Sequence, residues 1–227
     1  MLKIEDITYS VEGRPLFEGA SATIPTGHKV GLVGRNGAGK TTLFRLIRRE
    51  LALESGDISM PQRARIGGVA QEVPSSSTSL IDTVLAADTE RAALIAEEDA
   101  GASPERVADI HERLIAIDAH TAPARAARIL VGLGFDEDMQ GRPLDSYSGG
   151  WRMRVALAAL LFTRPDVLLL DEPSNHLDLE SALWLENFLK SYPGLIVLIS
   201  HERDLLNRVA GMILHLEGGK VQLYTGN

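Results

Sequence analysis

Hydrophobic and polar residues alternate along LKIEDITYS (residues 2–10) and LFEGASATI (residues 16–24), which predicts two half-buried strands separated by the turn signal EGRP. The period then changes. HKVGLVG (residues 28–34) is a short β-branched run ending in glycine, and in the following NGAGKTTLFRLIRRE the residues Leu43, Phe44, Leu46 and Ile47 recur at helical spacing. Strand, glycine-rich loop and helix make half of a βαβ unit. GDISM and RIGGVA predict further short strands, and residues 73–79 a polar loop.

From Leu80 to about Ala127 the chain is rich in Ala, Glu, Asp and Arg, with helical periodicity interrupted near residues 99–103. Ser103, Pro104 and Glu105 supply a capping hydroxyl, a proline for the first helical position and an acid for the first turn. HERLIAIDAH is expected to continue that helix to His120. Together these segments predict a helical hairpin projecting from the main body, with Leu94, Ile95, Val107, Ile110, Leu114 and Ile117 as its apolar stripe. Beyond ARAARILVGLGF the α/β pattern returns. SGGWRMRVALAALLF predicts a helix, DVLLLDE a strand apolar on both faces, LESALWLENFLK a helix, GLIVLIS a second buried strand, ERDLLNRVA a helix and MILHLEGGKVQLY a closing hairpin. The class is therefore α/β, an open and mostly parallel sheet that binds ligands at the carboxyl ends of its strands.

Composition narrows the setting. At 227 residues and 44% hydrophobic content the chain can bury an ample core without disulfides, and with no cysteine it can have none. The net charge of -8 argues against a nucleic-acid coat held by bulk charge. Between Asp82 and Arg125 ten acidic residues face four arginines, so the helical segment carries most of that excess. No apolar run is long enough for a transmembrane segment, and the first residues have no signal-peptide pattern, which fits a cytoplasmic location. The six histidines form no ligand cluster for zinc.

GRNGAGKT (residues 34–41) fits G-x-x-x-x-G-K-[ST]. Its glycines let backbone N–H groups curl around a β-phosphate at the positive end of the following helix. Lys40 then reaches the β- and γ-phosphates, and the Thr41 hydroxyl is a ligand for Mg²⁺. Gly34, Asn36, Gly37, Ala38, Gly39 and Thr42 complete the cradle for a nucleoside triphosphate, ATP in the first instance. DVLLLDEP delivers Asp171 and Glu172 at a strand end, Asp171 to hold Mg²⁺ through water and Glu172 to act as general base on the attacking water. Ser148, Gly149 and Gly150 at a helix start offer a hydroxyl and unobstructed N–H groups to an anion.

Ser148 lies 23 residues before Asp171, one helix and one strand away, and this arrangement resembles the signature motif of the ATP-binding-cassette (ABC) ATPases. The resemblance extends over nearly the whole chain. Gln71 looks like the Q-loop glutamine that senses Mg²⁺ and the γ-phosphate, residues 174–178 (SNHLD) like the D-loop, and His201 like the switch histidine. The position of the aromatic that usually stacks on adenine aligns with Val11, while Tyr9 is two positions off. The implied fold is a P-loop NTPase of ABC type. Residues 1–79 and 163–227 would form a RecA-like core with an antiparallel β part, and residues 80–162 a helical subdomain with an arm insert at about 85–125.

Trp151, where many cassettes carry glutamine, and Asn175-His176 in the D-loop are similar to the ABC-F proteins, with HERLIAIDAHTAPARAARILVGLGF nearest to YheS-like or Uup-like branches. ABC-F proteins are paired soluble cassettes, many acting on ribosomes. The resemblance implies ATPase activity, a site completed by a second cassette (in cis after a charged linker, or in trans as a dimer), and contact with the ribosome, rRNA or tRNA. The chain ends about where such a linker would begin. Arg91, Arg106 and Arg113 are the candidate RNA contacts of the arm, although pairing at i,i+4 on a solvated helix face would equally account for them. The alternative is the ATPase subunit of a membrane transporter.

Overall fold

The computed structural model describes residues 1–69 and 76–226. Within that range the chain folds as two compact units. The first comprises residues 1–69, 165–175 and 186–227; the second comprises residues 70–164 and 176–185. Gln71 and the first part of the 73–79 loop lie outside the described residues.

The first unit contains β1 (Leu2–Val11), β2 (Arg14–Ile24), β3 (Lys29–Gly34), α1 (Lys40–Ile47), β4 (Ser55–Ser59) and β5 (Ile66–Gly68). The second holds α2 (Leu80–Ala86), α3 (Thr89–Asp99), α4 (Pro104–Ala116), α5 (Ala122–Gly132), α6 (Glu137–Gln140) and α7 (Gly149–Thr163). The chain then gives β6 (Val167–Asp171), α8 (Leu179–Ser191), β7 (Leu195–Ile199), α9 (Arg203–Val209), β8 (Met212–Glu217) and β9 (Lys220–Thr225). Of these α8 is divided between the two units, and the others return to the first.

The sheets follow from the patterns. The alternating segments β2, β1 and β4 pair antiparallel in that order. The continuous apolar runs become the interior of a six-stranded sheet ordered β5-β6-β7-β3-β8-β9, parallel except for the β8–β9 hairpin. In a parallel sheet the crossover connections pack on both faces, which is why the interior strands β6 and β7 are apolar throughout. The two sheets and α1 enclose one core in this unit, with Ile4, Phe17, Leu32, Leu43, Leu169 and Val197 among its buried members. The sheet order sets the ends of β6, β7 and β3 side by side.

The second unit is entirely helical among the described residues. Leu80, Val84, Ala126, Leu130, Val155 and Leu161 are buried where α2, α5 and α7 meet. Gly132 packs flat against Trp184, where an added Cβ would lie 2.0 Å from the indole. α3 and α4 form the expected hairpin, broken at Gly101 and restarted by Ser103, whose hydroxyl accepts from Arg106 N–H at 3.3 Å.

The structure departs from one expectation and adds to another. The helix begun at Pro104 ends at Ala116 and does not reach His120, because Asp118 adopts a left-handed conformation (φ 56°) and accepts from the Thr121 hydroxyl at 2.6 Å. Arg106 and Arg113 pair across the hairpin with Glu97 at 2.7 Å and Glu90 at 2.6 Å, and Arg106 also reaches Asp109, one turn on along its own helix, at 3.9 Å. An antiparallel helix pair brings such distant residues opposite one another.

Candidate functional site

β3 ends at Gly34, and the chain turns back through residues 35–39 into α1. Backbone sterics dictate the glycines. A Cβ at Gly34 would sit 2.6 Å from the Leu216 carbonyl oxygen; Gly39 has φ 104°, and a Cβ there would meet Leu16 at 2.9 Å. Ala38 N–H donates to Arg35 O at 3.1 Å and closes the turn. No side chain caps α1, so its first-turn N–H groups are open to an anion. Lys40 Nζ arches over the loop, donating to Gly34 O at 2.9 Å and Arg35 O at 3.2 Å.

β6 brings the carboxylates to the same edge. Val167 to Leu170 are at most 5% exposed, so the strand is fixed and Asp171 emerges at its end. The Thr41 hydroxyl donates to Asp171 Oδ2 at 2.7 Å. Glu172 follows with φ 49°, a conformation that costs a side-chain-bearing residue free energy and marks a constrained position. Its N–H donates to Ile199 O at 2.9 Å, tying it to the end of β7, and its Oε2 accepts from His201 N–H at 3.2 Å. Glu172 Oε1 is buried without a hydrogen-bond partner, with His201 Nε2 at 3.6 Å. A buried acceptor left in this state costs about 1–3 kcal/mol. It persists where a ligand or its water can supply the donor.

These groups line one cleft of about 680 Å³, the size of a nucleotide pocket. Lys40, Thr41, Thr42, Asn36, Gly37, Gly39, Asp171, Glu172 and His201 form one part of its wall, and Val11, Pro15 and Leu16 an apolar part. Val11 is 44% exposed and faces the cleft, whereas Tyr9 packs on the core and pairs with Phe17. Gly34 and Ala38 shape the loop without forming the wall. Glu12 and Arg14 also line the cleft, although the EGRP segment carries no sequence signal beyond a turn. The donor set fits Mg²⁺ and a triphosphate: an ammonium and open amides for phosphate oxygens, a hydroxyl and hard carboxylate oxygens for the cation.

Ser148, Gly149 and Gly150 belong to the second unit, at the start of α7. Ser148 has the backbone of an N-cap, yet its side chain makes no capping bond, and Gly149 borders open space. Trp151 packs edge-on against Phe135 with centroids 5.1 Å apart, and the Arg154 guanidinium lies 4.4 Å above the indole. Arg154 also donates to Asp178 Oδ2 at 2.8 Å and to the carbonyls of Leu133 and His176. The Ser181 backbone N–H and then Arg154 hold the Asp178 carboxyl down at about 2. Arg154 was legible only as a member of SGGWRMR, because its partners are remote in sequence.

The ABC transporter family model matches residues 17–175. The chain is 45% identical over 94% of its length to the probable ATP-binding protein YheS of Escherichia coli K12, covering 34% of that protein. It is 41% identical over its full length to ATP-binding cassette sub-family F member 3 of Mus musculus, covering 33% of it. The chain thus spans about a third of the curated relatives it matches. Among solved structures, an ATP-binding subunit of an ABC transporter aligns with TM-score 0.75 at 18% identity, over 99% of this chain and 90% of that one. A dimeric ATP-binding cassette in a post-hydrolysis state, bound to ADP and Pi, aligns with TM-score 0.70 at 20% identity, over 99% and 98%. The strand-borne carboxylates, the glycine-rich loop and the match of the family model across both agree: this chain belongs to the ABC transporter family.

Proposed function

We propose that this chain is an ATP-binding and ATP-hydrolysing cassette whose working site is completed by a second cassette. The observation that carries this reading is the convergence of Lys40, Thr41, Asp171, Glu172 and His201 on one cleft at the carboxyl ends of β3, β6 and β7. The loop amides and Lys40 bind the phosphates, and Val11, Pro15 and Leu16 give the base an apolar bed. Thr41 and Asp171 would hold Mg²⁺, which neutralises charge on the phosphate oxygens; Gln71 would join them. Glu172 accepts the proton of the attacking water at its unpartnered Oε1, and His201 orients that water beside it. Most of the acceleration comes from positioning and electrostatic stabilisation.

Ser148, Gly149 and Gly150 close on the triphosphate held by a partner cassette, in cis after a linker or in trans as a dimer. The uncapped Ser148 hydroxyl supports this role, since nothing within α7 uses it. Turnover per cassette should therefore rise with protein concentration, and Ser148→Arg should abolish that rise while leaving ATP binding intact. Turnover independent of concentration over a thousandfold dilution would refute the composite site.

Kinship to the F subfamily, Trp151, Asn175-His176 and the α3–α4 hairpin support a cytoplasmic role on the ribosome in translation. No helix among the described residues is long and apolar enough to cross a membrane. Arg106 and Arg113 are engaged by glutamates, which favours a ribosomal protein surface over rRNA or tRNA phosphates as the hairpin's contact. Co-sedimentation of a Glu172→Gln protein with ribosomes in ATP tests this; absence from the ribosomal pellet would contradict it.

A further inference from the structure

Arg154 makes more directional contacts than any role in α7 requires. Its side chain is 11% exposed, although it carries a full charge. It stacks on Trp151 at 4.4 Å, reaches Asp178 at 2.8 Å and Leu133 O at 3.3 Å, and donates to His176 O. Asp178 is doubly held, because its Oδ1 accepts from Ser181 N–H at 2.9 Å and so caps the start of α8. Gly150 adjoins the same segment: a Cβ there would lie 3.6 Å from His176 Nδ1. All of these groups belong to the second unit, and the division between units falls between Asn175 and His176. On its other side Ser174 is buried and donates to Glu202 Oε1 at 2.7 Å, within the first unit. Within the second unit residues 176–178 are thus tied to α7 by Arg154.

We infer that Arg154 is a positioning residue, holding residues 176–178 against the first turn of α7 so that this segment and Ser148-Gly149-Gly150 are presented to a partner cassette as one rigid surface. This rests on the composite site proposed above. The physical basis is the fork of the guanidinium. Its planar face is fixed by the Trp151 ring and its edges by one carboxylate and two carbonyls, a combination that a lysine ammonium cannot reproduce. Trp151 in place of a smaller polar residue provides the platform for that stacking. Charge-assisted hydrogen bonds of this kind lose their geometry together, because each contact orients the next.

The test compares Arg154→Ala, Arg154→Lys and Asp178→Asn with wild type in the 227-residue chain. Three quantities are measured on each: the affinity for a fluorescent ATP analogue, the protein concentration giving half-maximal turnover, and amide exchange of residues 174–180. The expected result for Arg154→Ala is unchanged ATP affinity, faster exchange confined to that segment, and a half-maximal concentration raised roughly tenfold, as when a hydrogen-bonded charge ordering an interface is removed. Arg154→Lys should fall between, and Asp178→Asn should weaken closure less than Arg154→Ala. Equal half-maximal concentrations in wild type and Arg154→Ala overturn the inference while leaving the composite site standing. A wild type without concentration dependence overturns both. Should Arg154→Ala fail to fold, Arg154→Lys decides alone: wild-type exchange at residues 174–180 refutes the clamp.

Discussion

In β6 and β7 nearly every side chain is buried, from Val167 to Leu170 and from Leu195 to Ile199, whereas α3 buries none and α4 only Ile110. The strands are held by apolar area and a parallel hydrogen-bond ladder. The hairpin is held by buried Ile110, by the half-buried stripe of Leu94, Ile95, Val107, Leu114 and Ile117, and by exposed pairs across its two helices, Glu90 with Arg113, Glu97 with Arg106 and Glu98 with His111. Burial withstands salt and fixes atoms to within tenths of an ångström, which catalytic carboxylates need. Solvated pairs are screened by salt and hold a shape without fixing it. Rigid chemistry and an adaptable surface have thus been assigned to differently stabilised regions.

The largest predicted contrast is between a loop residue and a hairpin residue. Lys40→Ala should cut MgATP affinity and turnover by about a hundredfold or more, since it deletes the ammonium aimed at the phosphates. Arg113→Ala should leave both unchanged, and equal effects in a nucleotide titration would break the comparison. Next is Gly132→Ala in the well-packed part of the second unit. The new methyl collides with the Trp184 ring, and a loss of about 1–3 kcal/mol in denaturant unfolding is expected from overpacking. The cross-hairpin pairs come third. Raising ionic strength to about 1 M should speed amide exchange in α3 and α4 while β6 and β7 stay protected, because the screening length falls to about 3 Å.

The smallest effect is one of pH. Asp178 is held at about 2, below its ordinary value of 3.8, by Ser181 N–H and Arg154. Its contribution is complete above about pH 4 and disappears as pH falls through about 2. Arg106 likewise holds the Glu97 carboxyl below its ordinary range. Acid titration of Asp178→Asn followed by tryptophan fluorescence should lack the wild-type transition in this window; an identical curve would remove Asp178 from the account.

Legibility in the sequence follows the same division. A strand covered on both faces must be continuously apolar, so DVLLLDE and GLIVLIS declared β6 and β7, and the close approach at Gly34 and Gly39 made the phosphate loop readable. The hairpin's existence was readable from the Ser103-Pro104-Glu105 start. Its pairing was not, because Arg106 and Arg113 reach glutamates 9 and 23 residues away, and its end at Ala116 depends on Asp118 adopting φ 56°. The Arg154 clamp was hidden for the same reason: Leu133, His176 and Asp178 meet it only in the folded unit. Val11 was already the reading from its place ahead of the G-R-P turn; the packing of Tyr9 on the core, opposite Phe17 in the β1–β2 register, adds why Tyr9 does not line the cleft.

The most direct test is to measure MgATP binding and phosphate release on the same samples of wild type and Glu172→Gln. Binding should be equal, hydrolysis by the variant reduced by about a hundredfold or more, and the ATP-loaded variant a dimer on size exclusion. Wild-type phosphate release by Glu172→Gln, or a wild-type protein that does not bind MgATP, would contradict it.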